Sequence, residues 1–553
     1  MRARSMGWLL VFLLLSNGPA APTPADAHTP AARPLAAPAP FDSPRLGHIT
    51  LTVTTPDAEA LRLFRQGLAL CYAFNHDEAV KSFHRALDHD PKFAMAHWGI
   101  ALASGPNVNL PMDKDHEAVA LKEVLAAQAA DVGLAPFERE LIAALSVRYA
   151  QPLGEARGAR DSAYATAMRG VAARHPEDAN VLGLTAEAIM NLSPWRWFAN
   201  DGTPVGAIED AIAMLEHGLK VDSTNTLVNH LYIHAVEESQ HPERGLVAAA
   251  RLARLAPDAG HLVHMPSHLW ARVGRYHEAA VLNEKAARID SAYVARYQVD
   301  GVYPLMYMSH NQDFAGIAFY MAGDRAAALR WARPLAAHAE AEAAAMPMLD
   351  PFAARALTVL VGFHRWDDVL AVHAPGTAVP GTRLYWRFAR GMAFAGKGRT
   401  PEAQVELDSL IAGAAALPKD FTMGLNAGSD IFSLAHSLLA GRLARARADL
   451  TTAERELRDA ATRYEALAYD EPEDWVLSPH LELGALLLEK RDFAGAEAAY
   501  RAELKHHPLH GRGWYGLALA LAGQGRPADA AKARAQFAVA WRHADTKLSA
   551  RDL

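Results

Sequence analysis

From about residue 58 to about residue 545, apolar positions recur at helical spacing, broken by turns rather than by strand-like alternation. The clearest unit spans residues 60–91. It has Gly67 in a first amphipathic stretch, a turn at Asn75-His76-Asp77, and Ala79, Phe83 and Ala86 in a second stretch closed by Asp90-Pro91. The same marks return as Gly484, Ala496, Tyr500 and Pro508, and in part as Gly391, Gly398 and Ala403 and as Gly441, Ala453 and Ala460. Gly274 and Gly323 supply further between-helix turns, where a Cβ would obstruct the backbone. Weaker helical periodicity fills the intervals, for example at 206–219 and 351–372. Regularity fails at 107–115, 151–160, 193–204 and 291–303, and such insertions often sit beside the binding face of repeat proteins.

A small residue where two helices cross, an alanine and an aromatic in the second helix, and a closing proline together resemble the tetratricopeptide repeat. The resemblance spans most of residues 58–545 and implies an all-α solenoid of roughly a dozen helical hairpins. The expected organisation is an N-terminal array at 58–345, a C-terminal array at 346–545 and a tail at 546–553. A continuous body and one broken between 340 and 380 both remain open. Repeats of this kind mostly bind protein or peptide partners, and the fold alone does not assign an activity.

Composition narrows the classes. A chain of 553 residues exceeds one globular core but not one solenoid. Its formal charge of -7 contains no long run of one sign, and its dispersed Lys and Arg argue against nucleic acid. The single cysteine, Cys71, excludes an intrachain disulfide and a CxxC metal site. Arg2 and Arg4, an apolar run from 8 to 15 and Ala25-Asp26-Ala27 read as a signal peptide over 1–27. A Pro/Ala-rich leader with a short extended lead-in follows at 28–57. The expected location is periplasmic or secreted, with no stable membrane span after cleavage, since the apolar run is too short for a permanent one.

Histidine carries the candidate chemistry. Residues 228–270 hold six histidines, where the chain average would give about two. His230 and His264 are 34 residues apart, as are His234 and His268, and 34 is the period of a two-helix repeat. Each cluster is also a helical stripe: 230, 234, 237 and 261, 264, 268. Aligning Gly274 with Gly323 shifts the register by 49 and lays His261 over His310 and His264 over Asp313. In tetratricopeptide proteins the first helix of each unit lines the concave groove. The resemblance therefore implies a groove floor of His230, His234, Glu237, His261, His264, His268, His310 and Asp313.

Several neutral imidazoles with a carboxylate suit a transition metal such as Zn, Cu, Ni or Fe. Glu237, one turn beyond His234, is placed to be a ligand, a general base or an orienter of an imidazole. Pro266 implies a helix start or a kink between His264 and His268. Asn229 adjoins the floor, and Glu187 and Asn191 are a turn apart and placed to line the same groove. The segment 469–475 is either a groove cap or a linker, and His506, His507 and His510 are expected at a solvated turn. A metal-handling protein or metal-dependent enzyme is the leading expectation, a peptide-binding scaffold without metal the alternative. If imidazoles coordinate the ion, affinity is expected to fall below about pH 6.5.

Overall fold

Helical hairpins account for nearly the whole fold of this computed structural model, which describes residues 40–130 and 133–553. The signal peptide read over 1–27 and most of the Pro/Ala-rich leader lie outside the described residues. Among the described residues there are 26 α-helices, and the one sheet is a two-residue hairpin pairing Thr422–Met423 with Asn426–Ala427. That helix count matches the expected dozen or so hairpins. Residues 40–553 form one compact unit. No described helix is long and apolar enough to cross a membrane.

The repeat at 60–91 shows why the hairpins form. Helices Ala58–Tyr72 and His76–His89 pack through Phe83, fully buried, which lies over Gly67 and over Gly99 of the next helix. A Cβ at either glycine would stand 2.7 Å or less from that ring. Asp57 caps the first helix by accepting from Ala60 N–H. The motif recurs at Tyr500, clamped between Gly484 and Gly516. Gly516→Ala would put its Cβ 2.2 Å from Tyr500 Cζ, and this overpacking is expected to cost about 1–3 kcal/mol in denaturant unfolding. No loss of stability would show that the ring can yield.

The superhelix curls far enough for late repeats to touch early ones. Leu509 packs on Gly274, whose φ of +81° makes a Cβ there strained as well as crowded. Asp545 accepts from the N–H groups of Arg325 and Ala326 at 2.9 and 3.0 Å. Asn200 donates to the carbonyls of Glu465 and Leu467. The apolar core falls into two main clusters that meet near residues 276–307, with a small third around Ala339 and Leu349. The lead-in over 50–54 pairs with no strand. It runs extended beside the early repeats, with Leu51 buried and His48 N–H donating to Thr226 Oγ1.

Candidate metal centre

Four inner helical segments bring six histidines to one place, five of those in residues 228–270 together with His310, while His241 stays exposed beside Glu243. His230 and His234 lie on Thr226–Glu237, His261 and His264 on Gly260–His264, His268 on Pro266–Arg272, and His310 on Met308–Met321. Pro266 is the first residue of its helix, and Met265 before it is itself helical, so the chain bends there without a loop. The bend keeps His264 and His268 adjacent, with ring centroids 4.6 Å apart. All but His310 are buried at 2 % exposure or less.

The nitrogens gather in two groups of three, each within 4.8 Å: His230, His234 and His261, then His264, His268 and His310. Within them His230 Nε2 is 3.1 Å from His261 Nε2. His264 Nε2 is 2.7 Å from His268 Nε2 and 3.2 Å from His310 Nε2. The opposite ring nitrogens decide which of these carry protons. His230 Nδ1 is 2.8 Å from the Tyr72 carbonyl, an acceptor left free at a helix C-terminus. His234 Nδ1 is 2.8 Å from Glu237 Oε1, and His268 Nδ1 lies against Glu237 Oε2. His264 Nδ1 is 2.6 Å from Asn283 Oδ1, whose amide group donates to the Ala279 carbonyl. Hydrogen-bond acceptors hold the proton on Nδ1 of His230, His234 and His264, which leaves their Nε2 lone pairs directed inward. At His268 the Glu237 charge faces Nδ1 without a hydrogen bond. His234 Nε2 has no hydrogen-bonding partner among the described residues.

Such a lone pair facing another imidazole nitrogen needs either that ring's N–H or a metal cation between them. Two nitrogens on one tetrahedral ion, each at about 2.1 Å, stand roughly 3.4 Å apart. The 3.1 and 3.2 Å separations approach that spacing, the 2.7 Å one does not, and all three are also hydrogen-bond distances.

Extra protons are disfavoured on most of these rings. Burial, with help from neighbouring imidazoles, holds His230, His261 and His264 well below the usual histidine value and His310 at about 3. His268 differs: the Glu237 charge outweighs burial and raises it. Burial pushes Glu237 up, but His268 and His234 outweigh it and bring the carboxyl to about 2. So acidic a carboxylate is a weak base, and both its oxygens are engaged by rings. Of the three roles read for Glu237, orienting two imidazoles fits, and the general-base role does not.

Aromatic rings close each group. Phe74 lies over His230, His234 and His261 at 4.5, 5.9 and 5.3 Å between centroids, and Phe314 over His264 and His268 at 5.3 and 5.2 Å. Phe74 takes a left-handed backbone, φ 57°, at the turn after the first helix, an unfavourable conformation for a residue with a Cβ.

The comparisons agree with the hairpin geometry. The tetratricopeptide repeat family profile matches residues 64–104 and 481–541, so the repeat is present at both ends of the described body. The chain carries tetratricopeptide repeats in these two segments. No curated protein matches it in sequence. Among solved structures, the Cut9 component of the APC/C hetero-tetramer Cut9–Hcn1 shows 15 % identity over 89 % of this chain and 76 % of that one, with a TM-score of 0.29. A human IFIT1 monomeric mutant shows 11 % over 88 % and 95 %, at 0.35, and yeast Tom70 shows 12 % over 88 % and 92 %, at 0.30.

The histidine groups open onto a cavity of about 520 Å³, lined by His234, His261, His268 and His310 and walled mainly by apolar side chains including Trp195, Met306, Tyr307 and Phe352. Its size falls in the range of small-molecule sites. Three of the four insertions reach its wall, through Asn109 and Leu110, Trp195, and Val302. The fourth stays apart: Glu117 ties it down by accepting from Gly154 N–H, Arg157 and Arg160.

The segment 469–475 proves to be a cap. Asp470, Glu471, Pro472 and Asp474 line the cavity, and burial pushes Glu471 up to about 7. The strap is tied by Arg355, which donates to the Glu473 carbonyl at 3.1 Å, and by Asp474, which accepts from the Asn426 amide at 2.8 Å.

Other expected residues sit elsewhere. Asp313 reaches the cavity but is paired with Arg355, whose Nε donates to Asp313 Oδ2 at 3.0 Å; the 49-residue register brings His310, not Asp313, to His264. Asn229 faces away, bonded to the Ser223 and Asn225 carbonyls and to Arg251. Glu187 and Asn191 line a separate small pocket with Cys71, His76 and Arg148.

His507 and His510 are not solvated. Glu503 receives both Nδ1 atoms, at 2.8 and 2.6 Å, and His507 Nε2 meets Glu473. His506 and His480 converge on Glu465. The sequence signal missed was a glutamate one turn before His507.

Proposed function

We propose that this tetratricopeptide solenoid is a transition-metal protein whose buried chamber holds metal through imidazole nitrogens. The observation that carries the reading is that acceptors hold Nδ1 of His230, His234 and His264, which bares their Nε2 atoms inside two trios of histidine nitrogens, each within 4.8 Å. Nitrogen donors favour Zn, Cu, Ni or Fe over Mg or Ca. The capped cavity suits a small, largely apolar molecule brought to the metal, which makes a metal-dependent enzyme the fuller version and storage or delivery the simpler one. If the signal peptide is used, the protein works in the periplasm or outside the cell.

Elemental analysis of protein purified from its own compartment tests this, beside a His234→Ala/His268→Ala variant checked for folding by circular dichroism. Stoichiometric metal in the native protein, reduced at least tenfold in the variant, is expected. Equal traces in both would leave a capped ligand groove without metal.

Glu237→Gln should be informative, because Gln offers one acceptor oxygen where the carboxylate offers two. One imidazole then loses the group that fixes its tautomer, and metal affinity is expected to fall about 10–100-fold. A competition titration with a chromophoric chelator would measure it. Unchanged affinity would remove Glu237 from the site.

A further inference from the structure

We propose that the chamber is a two-ion centre, with one ion in each histidine trio and the two coupled through Glu237 to receive one small ligand between them. This deepens the metal reading and rests on it.

Repetition is the first argument. Moving one repeat along the chain turns His230 into His264 and His234 into His268, each by 34 residues, and turns His261 into His310 by 49. The two groups found in space are these same trios, matched member for member. A solenoid that stacks equivalent helices thus copies the ligand set of one unit into the next.

Geometry separates the trios into two seats. Donors bound to a single ion at about 2.1 Å stand no farther apart than roughly 4.2 Å. The six histidines form two groups of three, each within 4.8 Å, so a small closure on binding would seat one ion in each. In each trio one histidine lies behind the cavity wall, His230 or His264, and the other two line the cavity, His234 with His261 and His268 with His310. Three protein donors leave a tetrahedral ion one position, and the arrangement turns that position toward the common cavity. Phe74 covers one trio and Phe314 the other, so both seats have the same dry backing.

Glu237 is the link. Its two oxygens reach one ring in each trio, His234 in the first and His268 in the second. A carboxylate shared in this way ties the donor strength of the two seats together, and it balances part of the charge that two divalent cations bring into a buried site. Paired ions facing one cavity suit a ligand with oxygen donors able to touch both, held by the apolar wall on its other side.

The test uses the full chain and two metals. Zn(II) titration of metal-free protein followed by isothermal calorimetry and elemental analysis should give two ions per chain. His230→Ala and His310→Ala should each retain one, and the double variant none. Cu(II)-loaded wild type should show a paramagnetic resonance signal weakened or broadened by coupling, whereas each single variant should show an isolated Cu(II) signal at full spin count. One Zn per wild-type chain with an isolated Cu(II) signal would overturn the two-ion centre while leaving the metal reading intact. No tight binding of either metal would overturn both. The wild-type stoichiometry and spectrum do not depend on any variant folding.

Discussion

Lowering the pH of the metal-free protein from 7.5 to 5 is expected to cost the wild type about 2 kcal/mol more than a His310→Ala variant, with the difference confined to the range below about 6.5. In the unfolded chain the histidines titrate near 6.5. In the folded chain burial holds His230, His261 and His264 well below that value and His310 at about 3. Below 6.5 the unfolded chain therefore binds protons that the folded chain refuses. Stability then falls at roughly 1.4 kcal/mol per pH unit for each such group.

His310 alone amounts to about 2 kcal/mol over a unit and a half. Comparison with the variant removes the opposite contribution of the buried carboxyls, Glu187, Glu238, Asp290 and Glu471 raised to about 7 and Asp313 to about 6, which gain protons in the folded chain first. His268 and His507 are shifted upward, so they add stability as pH falls toward 6.5 and leave the slope below it unchanged. Urea unfolding of both proteins in chelator at pH 7.5, 6.5, 5.75 and 5 measures the effect. A difference that stays constant below 6.5 would mean that water reaches the ring. The same shifts bear on the expectation that metal affinity fades below 6.5: burial keeps His230, His261, His264 and His310 neutral to lower pH, while His268 is charged more readily.

Arg355→Met is expected to cost about 3–5 kcal/mol at pH 7.5, because it leaves a buried carboxylate without its counter-charge. Asp313 is 1 % exposed and its carboxyl is already pushed up to about 6 by burial, even with Arg355 drawing it down. Without the guanidinium it would take up a proton, so the penalty should shrink as pH falls toward 5. The strap would also lose its tie at the Glu473 carbonyl. Chemical denaturation at the two pH values gives the energies, and proteolysis after residue 469 reports the strap. A cost below about 1 kcal/mol at pH 7.5 would show that the pair is solvated.

What the sequence revealed follows from what repetition encodes. The hairpins were legible because Gly67, Phe83, Gly484 and Tyr500 carry crossing geometry within a few dozen residues. The histidine chamber was legible for the same reason: a 34-residue shift is local information. Contacts made by superhelical curvature leave no such trace. Nothing near Arg355 announces Asp313 or the Glu473 carbonyl, and nothing near Tyr72 announces that its carbonyl will orient His230 from 158 positions away. Asn229 misled because helical spacing gives a residue's neighbours but not the direction of the packing face. Its amide satisfies the start of its own helix instead.

The strap has one more consequence, and it concerns order in time. The six histidines, Glu237 and the Tyr72 carbonyl all precede residue 311, while the cap that covers them begins at 469. During synthesis the floor of the chamber can be complete long before its roof exists. If the chamber takes an ion as proposed, that ion can be seated in an open cup before the later repeats dock.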